Sequence, residues 1–109
     1  MPRSLQLLFI VVIFIKGVAN AQQTSHTYLN KLNYLLYLPA EYATDTNTNW
    51  PVLIFLHGSS ESGTNIEKVK ANGPPKYISQ GKKYSFIVVS PQSPKFGWDI
   101  ETVYGLIQM

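Results

Sequence analysis

Short apolar runs separated by polar turns dominate the chain, and three of them predict strands. Residues 28–38 alternate between apolar and polar side chains, which predicts an outer, antiparallel strand with one buried face. Residues 52–56 and 86–90 are almost continuously apolar and rich in branched side chains, as is typical of strands buried on both faces. We therefore expect one outer strand and two central strands.

Three segments with polar caps predict short helices between and after these strands. Residues 65–72 begin at Asn65, which can cap a helix, and residues 74–81 have prolines in the first turn and a glycine at the end. A third helix is expected to follow Asp99 and to continue to Met109. The alternation of strands and helices predicts an α/β fold with an incomplete, mostly parallel sheet and flanking helices.

Residues 1–21 have the layout of a secretory signal peptide, and residues 22–109 form the expected domain. Arg3 precedes the apolar run of residues 7–15, and residues 19–21, Ala-Asn-Ala, supply the small side chains that signal peptidase requires. We expect cleavage between Ala21 and Gln22, export to the periplasm or beyond, and no stable membrane anchor afterwards. An uncleaved anchor is the alternative, although the apolar run is shorter than the roughly 20 residues of a spanning helix.

Charge and cysteine content narrow the possible partners. The formal charge of the whole chain is +3, but residues 1–21 contribute two basic residues and no acid. The remaining seven basic and six acidic residues nearly balance, which gives no reason to expect a nucleic-acid partner. The chain has no cysteine and only two separated histidines, so we expect no disulfide, no metal site and no cofactor.

The turn after residues 52–56 is the best candidate for chemistry, because open α/β sheets place ligands at the carboxyl ends of their strands. We call residues 58–63, Gly-Ser-Ser-Glu-Ser-Gly, the 58–63 loop. Gly58 is expected to turn the backbone with a positive φ, and the small side chain of Ser59 leaves main-chain N–H groups open to a ligand. Such groups can stabilise an oxyanion. An ordinary polar loop is the alternative, whereas a phosphate-binding loop would need a Gly-Lys-Ser/Thr ending that is missing.

His57 directly precedes this loop, and a structural role is favoured over a catalytic one. No carboxylate neighbours it in sequence, and a general base needs a partner that orients it. We expect His57 to hydrogen-bond the turn backbone. Glu61 is the only acid in the loop, and we expect it to stabilise the turn together with Gly58 and Gly63.

Six short motifs occur in an order and spacing that resemble a known family. The chain resembles the secreted bacterial phospholipase/carboxylesterase-like esterases, or "predicted peptidases", of the α/β-hydrolase superfamily. The resemblance implies the N-terminal part of an α/β-hydrolase fold and hydrolysis of small carboxylic esters by a serine, an acid and a histidine. It also implies that the backbone N–H of Ser59 is an oxyanion donor, with His57, Gly58, Glu61 and Gly63 supporting the loop. The motifs are Leu-Tyr-Leu-Pro at 36–39, Phe-Leu-His-Gly-Ser at 55–59, Glu61 with Gly63, Asn-Gly-Pro-Pro-Lys at 72–76, Phe-Ile-Val-Val-Ser-Pro-Gln at 86–92 and Gly-Trp-Asp at 97–99.

The catalytic triad of that family has no counterpart in these residues. No Gly-x-Ser-x-Gly turn occurs in the sequence, so no catalytic residue is assigned and an N-terminal fragment of the enzyme is expected. A non-catalytic exported binding or interaction domain is the alternative. The hydrolase interpretation requires residues 52–56 to lie inside the sheet. It also requires the Ser59 amide to stay clear of packed side chains.

Overall fold

A computed structural model describes residues 22–109, in which four strands form one sheet in the order β1-β2-β4-β3. Both β1–β2 and β2–β4 are antiparallel, and only β3–β4 is parallel. The prediction of a mostly parallel α/β-hydrolase half-sheet is therefore wrong, and the described fold is a small mixed α/β structure. The expected signal peptide and its cleavage site lie outside the described residues, apart from Gln22. The strands are β1 (Gln22–Tyr28), β2 (Leu32–Leu38), β3 (Val52–Ile54) and β4 (Ile87–Gln92).

A hairpin accounts for most of the antiparallel character. Leu29 and Asn30 both have positive φ, at 51° and 55°, and the N–H of Lys31 donates to the carbonyl of Tyr28 at 2.9 Å. These are features of a type I′ turn, whose twist suits two adjacent strands. The single predicted strand over residues 28–38 is therefore a turn followed by β2. The polar residues before this turn form β1, which lies at the edge of the sheet. An edge strand is held by backbone hydrogen bonds to its neighbour and needs few apolar side chains.

The helical segments lie on the two faces of the sheet. On one face, Leu106 packs with Leu32 and Tyr34, and the partly buried Val89 lies beside them. The opposite face contacts the second of two 3-10 helices, in which Val69 is fully buried. The 3-10 helices span Ser59–Glu61 and Ile66–Ala71, and the α-helices are α1 (Gly73–Ser79) and α2 (Ile100–Ile107).

The position of β3 differs from the prediction. Among residues 22–109, β3 pairs with β4 alone and forms the edge of the sheet. Val52 is 54% exposed and Leu53 40% exposed, so the expectation of a strand buried on both faces is wrong for β3. An outer strand has no neighbour to cover its far side, whereas β4 lies between two strands and buries Val88, as predicted. β2 is antiparallel as expected, but it is an inner strand.

None of the helices described between residues 22 and 109 is long and apolar enough to cross a membrane. The apolar run at residues 7–15, on which the alternative of an uncleaved anchor depends, lies outside that range.

Candidate functional site

Two loops meet where the parallel strands β3 and β4 end. The 58–63 loop follows β3, and Ser93 follows β4. Because parallel strands direct their carboxyl ends to one edge of a sheet, these loops become neighbours. The N–H of Gly63 donates to the carbonyl of Ser93 at 2.8 Å, which joins them directly.

His57 connects the two loops through both ring nitrogens. Its Nε2 accepts the N–H of Ser93 at 2.9 Å, and its Nδ1 lies within hydrogen-bond distance of the Gly58 carbonyl. An acceptor role for Nε2 places the ring proton on Nδ1, which then donates to Gly58. With the side chain only 5% exposed, neither nitrogen is available to a substrate or a metal ion. His57 therefore has a structural role: it joins the backbone at Gly58 to the backbone at Ser93, and below we call it the His57 brace.

Glu61 is a buried carboxylate held by hydrogen bonds. Its side chain is only 4% exposed. One carboxylate oxygen accepts the side-chain amide of Asn72, and the other accepts the hydroxyl of Ser60 at 2.9 Å. These bonds hold the pKa of Glu61 below its usual value, with the Asn72 contribution the larger. Asn72 immediately precedes α1, so Glu61 ties the 58–63 loop to the start of that helix.

Gln92, the last residue of β4, fastens the far end of the loop. Its side-chain amide donates to the carbonyl of Glu61 at 2.9 Å and to the carbonyl of Asn65 at 2.8 Å. Gln92 is almost fully buried, so these bonds form away from water and hold the backbone in one arrangement.

The backbone N–H groups of Ser59 and Ser60 remain available. Both residues are exposed and lie in the first 3-10 helix, and no side chain caps this helix at Gly58. Neither N–H donates to an acceptor among residues 22–109. The first N–H groups of a helix have no partner within it. Two donors without an acceptor among residues 22–109 therefore lie at exposed residues of a loop that His57, Glu61 and Gln92 hold in place.

The two glycines of the loop differ from the expectation. Gly58 has a φ of −82° and an extended backbone, so the predicted positive φ at this position is wrong. The turn is made at Gly63, where φ is +132° and an L side chain would be strained. A Cβ added at Gly58 would lie 3.6 Å from a carboxylate oxygen of Glu61, which is ordinary contact.

Several residues that build this site could not be identified as site residues from the sequence. Ser93 and Asn72 are polar residues at element ends, where such residues are common. Trp98 donates its indole N–H to the carbonyl of His57 at 3.3 Å, and the two rings lie 4.7 Å apart. A polar Gln92 at the end of an apolar strand is the one signal that could have indicated a buried support.

Acidification is expected to weaken the attachment of the 58–63 loop. A carboxyl whose pKa is lower in the folded protein stabilises it above the unfolded pKa, and this contribution is lost as the pH falls through the folded pKa. For Glu61 the loss should occur as the pH falls below about 4.5, its ordinary value, towards the lower folded one. Glu61→Gln should therefore reduce the slope of stability against pH in this acid range, measured by urea unfolding at a series of pH values.

The matched control is Glu67→Gln. Glu67 makes an exposed ion pair with Lys70 at 3.0 Å, and such pairs contribute little to stability. An unchanged acid slope in Glu61→Gln, or an equal change in Glu67→Gln, would show that the Glu61 hydrogen bonds are not linked to folding.

Residues 22–109 contain no group of three or more histidine, cysteine, aspartate or glutamate side chains that could hold a metal ion. Comparisons with protein-family models, with curated proteins and with solved structures found no match for the chain.

Proposed function

We propose that residues 22–109 supply the oxyanion-binding loop of an exported serine hydrolase that acts on small carboxylic esters. The observation that carries this function is the pair of N–H groups at Ser59 and Ser60, which have no acceptor among residues 22–109 and lie on a loop fixed by Glu61 and Gln92. The nucleophile would lie in a Gly-x-Ser-x-Gly turn outside these 109 residues, and the acid and the catalytic histidine would lie there as well. Export is proposed from the pattern of residues 1–21.

Fixed donors suit this chemistry because the negative charge of an ester oxygen develops only as the nucleophile attacks. Donors that are already in place need no reorganisation at that moment, and removal of one typically costs about 3–4 kcal/mol of transition-state stabilisation. The His57 brace and the Gln92 amide supply that rigidity on the protein side. The family resemblance adds the expectation that Ser59 is one donor.

Because β3 is an edge strand, the sheet does not support the hydrolase proposal. The hydrolase interpretation requires residues 52–56 to lie inside the sheet, and among residues 22–109 β3 is an exposed edge strand, so this requirement is not met. Support therefore comes from the loop geometry and from the motifs, not from the sheet.

A second candidate is a non-catalytic exported interaction domain, and the same edge favours it. In the part of the chain that the structure describes, no strand pairs with the outer side of β3, and the side chains of Val52 and Leu53 are exposed. Such an edge can add a strand from a partner.

Purified residues 1–109 are expected to show no hydrolysis of p-nitrophenyl acetate above the buffer rate. Oxyanion donors without a nucleophile supply only a small part of the 8–23 kcal/mol, roughly, by which enzymes lower barriers. Activity that survives repurification would contradict the assignment of the nucleophile to other residues. The coding sequence beyond codon 109 separates the two candidates, because a Gly-x-Ser-x-Gly turn within about one further βα unit supports the enzyme.

A further inference from the structure

A cleft of about 470 Å³ opens beside the loop that follows β4. It lies between the hairpin turn at Lys31, the segment 93–99 and the first turn of α2. Its floor is apolar, because Leu32 and Val103 line it and are both buried in the core. Its dimensions suit a small organic molecule.

Aromatic side chains form the upper part of the cleft. Phe96 lies at the rim and is 79% exposed, the highest exposed fraction among the large apolar side chains of residues 22–109. Trp98 also lines the cleft, and its hydrogen bond to the His57 carbonyl fixes the indole. The hydroxyl of Ser93 lies within hydrogen-bond distance of the carbonyls of Lys95 and Gly97, which closes the segment into a tight loop. The aromatic groups are thus displayed on a constrained backbone.

The cleft also carries a positive charge. Lys31 and Lys95 line it, and Asp99 is the one acid among the lining residues. The Asp99 carboxylate is already engaged, because one oxygen accepts the hydroxyl of Thr102 at 2.7 Å and the other accepts the N–H of Glu101 at 3.2 Å. These contacts, led by Thr102, keep the pKa of Asp99 below its usual value. Asp99 thus stays ionised and interacts electrostatically with Lys95, so the two ammonium groups and this one carboxylate give the cleft a net charge of +1.

From this arrangement we infer that the cleft binds a small carboxylate that carries an aromatic ring. The ring would pack on Leu32 and Phe96 beside Trp98, and the carboxylate would face Lys31 and Lys95. The contact between Trp98 and His57 places the cleft next to the 58–63 loop. Its use as a subsite for aromatic, acidic ester substrates rests on the proposed hydrolase function, whereas the binding itself does not.

Tryptophan fluorescence tests the binding directly. The chain has only two tryptophans, and Trp50 lies in a different loop, so the Trp50→Phe variant reports on Trp98 alone. Phenylacetate should produce a saturable change in emission. We expect 2-phenylethanol, which has the ring without the charge, and acetate, which has the charge without the ring, to bind at least about fivefold more weakly.

Variants of the cleft residues separate the two parts of the site. In the Trp50→Phe background, Lys31→Gln and Lys95→Gln should each weaken phenylacetate binding by about two- to fivefold and leave 2-phenylethanol unchanged. Phe96→Ala should weaken binding of both ring-bearing ligands and leave the fold unchanged, because the Phe96 side chain is exposed and contributes little to the core. Lys83→Gln, at an exposed lysine that does not line the cleft, is the matched control.

Two results would overturn the inference. The first is an emission change that does not saturate with phenylacetate, confirmed by an unshifted Trp98 indole signal in a ¹H–¹⁵N spectrum. The second is equal weakening by Lys83→Gln and by the two cleft lysine variants. If phenylacetate binds but the longer protein hydrolyses no ester, the binding inference holds and the hydrolase function fails. If esters are hydrolysed without phenylacetate binding, only the inference about the cleft fails.

Discussion

Replacement of Ser59 by proline is expected to lower kcat for ester hydrolysis by about 10²- to 10³-fold in the proposed hydrolase, with little change in KM. Proline removes the backbone N–H that we propose as an oxyanion donor. The fold should tolerate it, because Ser59 is the first residue of a 3-10 helix, where that N–H has no internal partner. Gly58 has the extended backbone that a following proline requires, with φ −82° and ψ −179°.

Ser59→Ala is the matched control for this experiment. It removes the hydroxyl and keeps the N–H, so its steady-state rates should stay close to those of the unchanged enzyme. Equal losses in the alanine and proline variants would assign the effect to the side chain. A proline variant with full kcat would exclude the Ser59 N–H from the reaction.

Replacement of Gly73 by alanine is expected to reduce the free energy of unfolding by about 2–5 kcal/mol. Gly73 has a φ of +65°, and a Cβ there would lie 2.6 Å from the ring of Phe55. The left-handed backbone costs an L residue about 1–2 kcal/mol, and the crowding of Phe55 adds about 1–3 kcal/mol. Urea unfolding of the protein measures the sum.

Two further variants separate strain from crowding at this position. Gly81 has a φ of +101° but no atom within 4 Å of an added Cβ, so Gly81→Ala should show a backbone cost alone. The Phe55→Leu background should recover part of the loss in Gly73→Ala. If Gly73→Ala is no worse than Gly81→Ala, the close approach of Phe55 does not contribute.

The strands were predictable where apolar residues are continuous, and less so where the backbone conformation is unusual. β4 was predictable because its run of branched apolar side chains favours a buried strand. No unusual backbone conformation is needed to place it between two other strands. The β1–β2 hairpin was not, because Leu29-Asn30 lacks the Asn-Gly or Asp-Gly signal that marks a type I′ turn. The leucine adopts positive φ because the paired strands on either side require it.

Burial of β3 was not predictable from its composition. An apolar run indicates side chains that favour a dry environment, but it does not say whether a neighbouring strand is present to provide one. The hairpin turn was also not predicted, so β1 and its antiparallel pairing with β2 were missing from the expected sheet.

The candidate site was partly predictable. The position of the 58–63 loop follows from the strand before it, and the direction of β3 relative to β4 brings Ser93 beside it. The supports were harder to foresee, because His57 and Gln92 act on backbone groups 36 and 31 residues away in sequence. Partners at such separation are defined by the fold and not by local spacing.

The strand order also determines when each part of the sheet can assemble. β1 and β2 are adjacent in sequence and close into a hairpin as soon as the chain reaches Leu38. β3 emerges next during synthesis, yet its partner β4 begins at Ile87, after the whole helical crossover has been made. Long-range pairing of this kind is slow compared with local hairpin closure. The nascent chain therefore passes through a stage in which the apolar strand β3 has no partner strand. Binding of a chaperone at this stage would protect the chain most from aggregation.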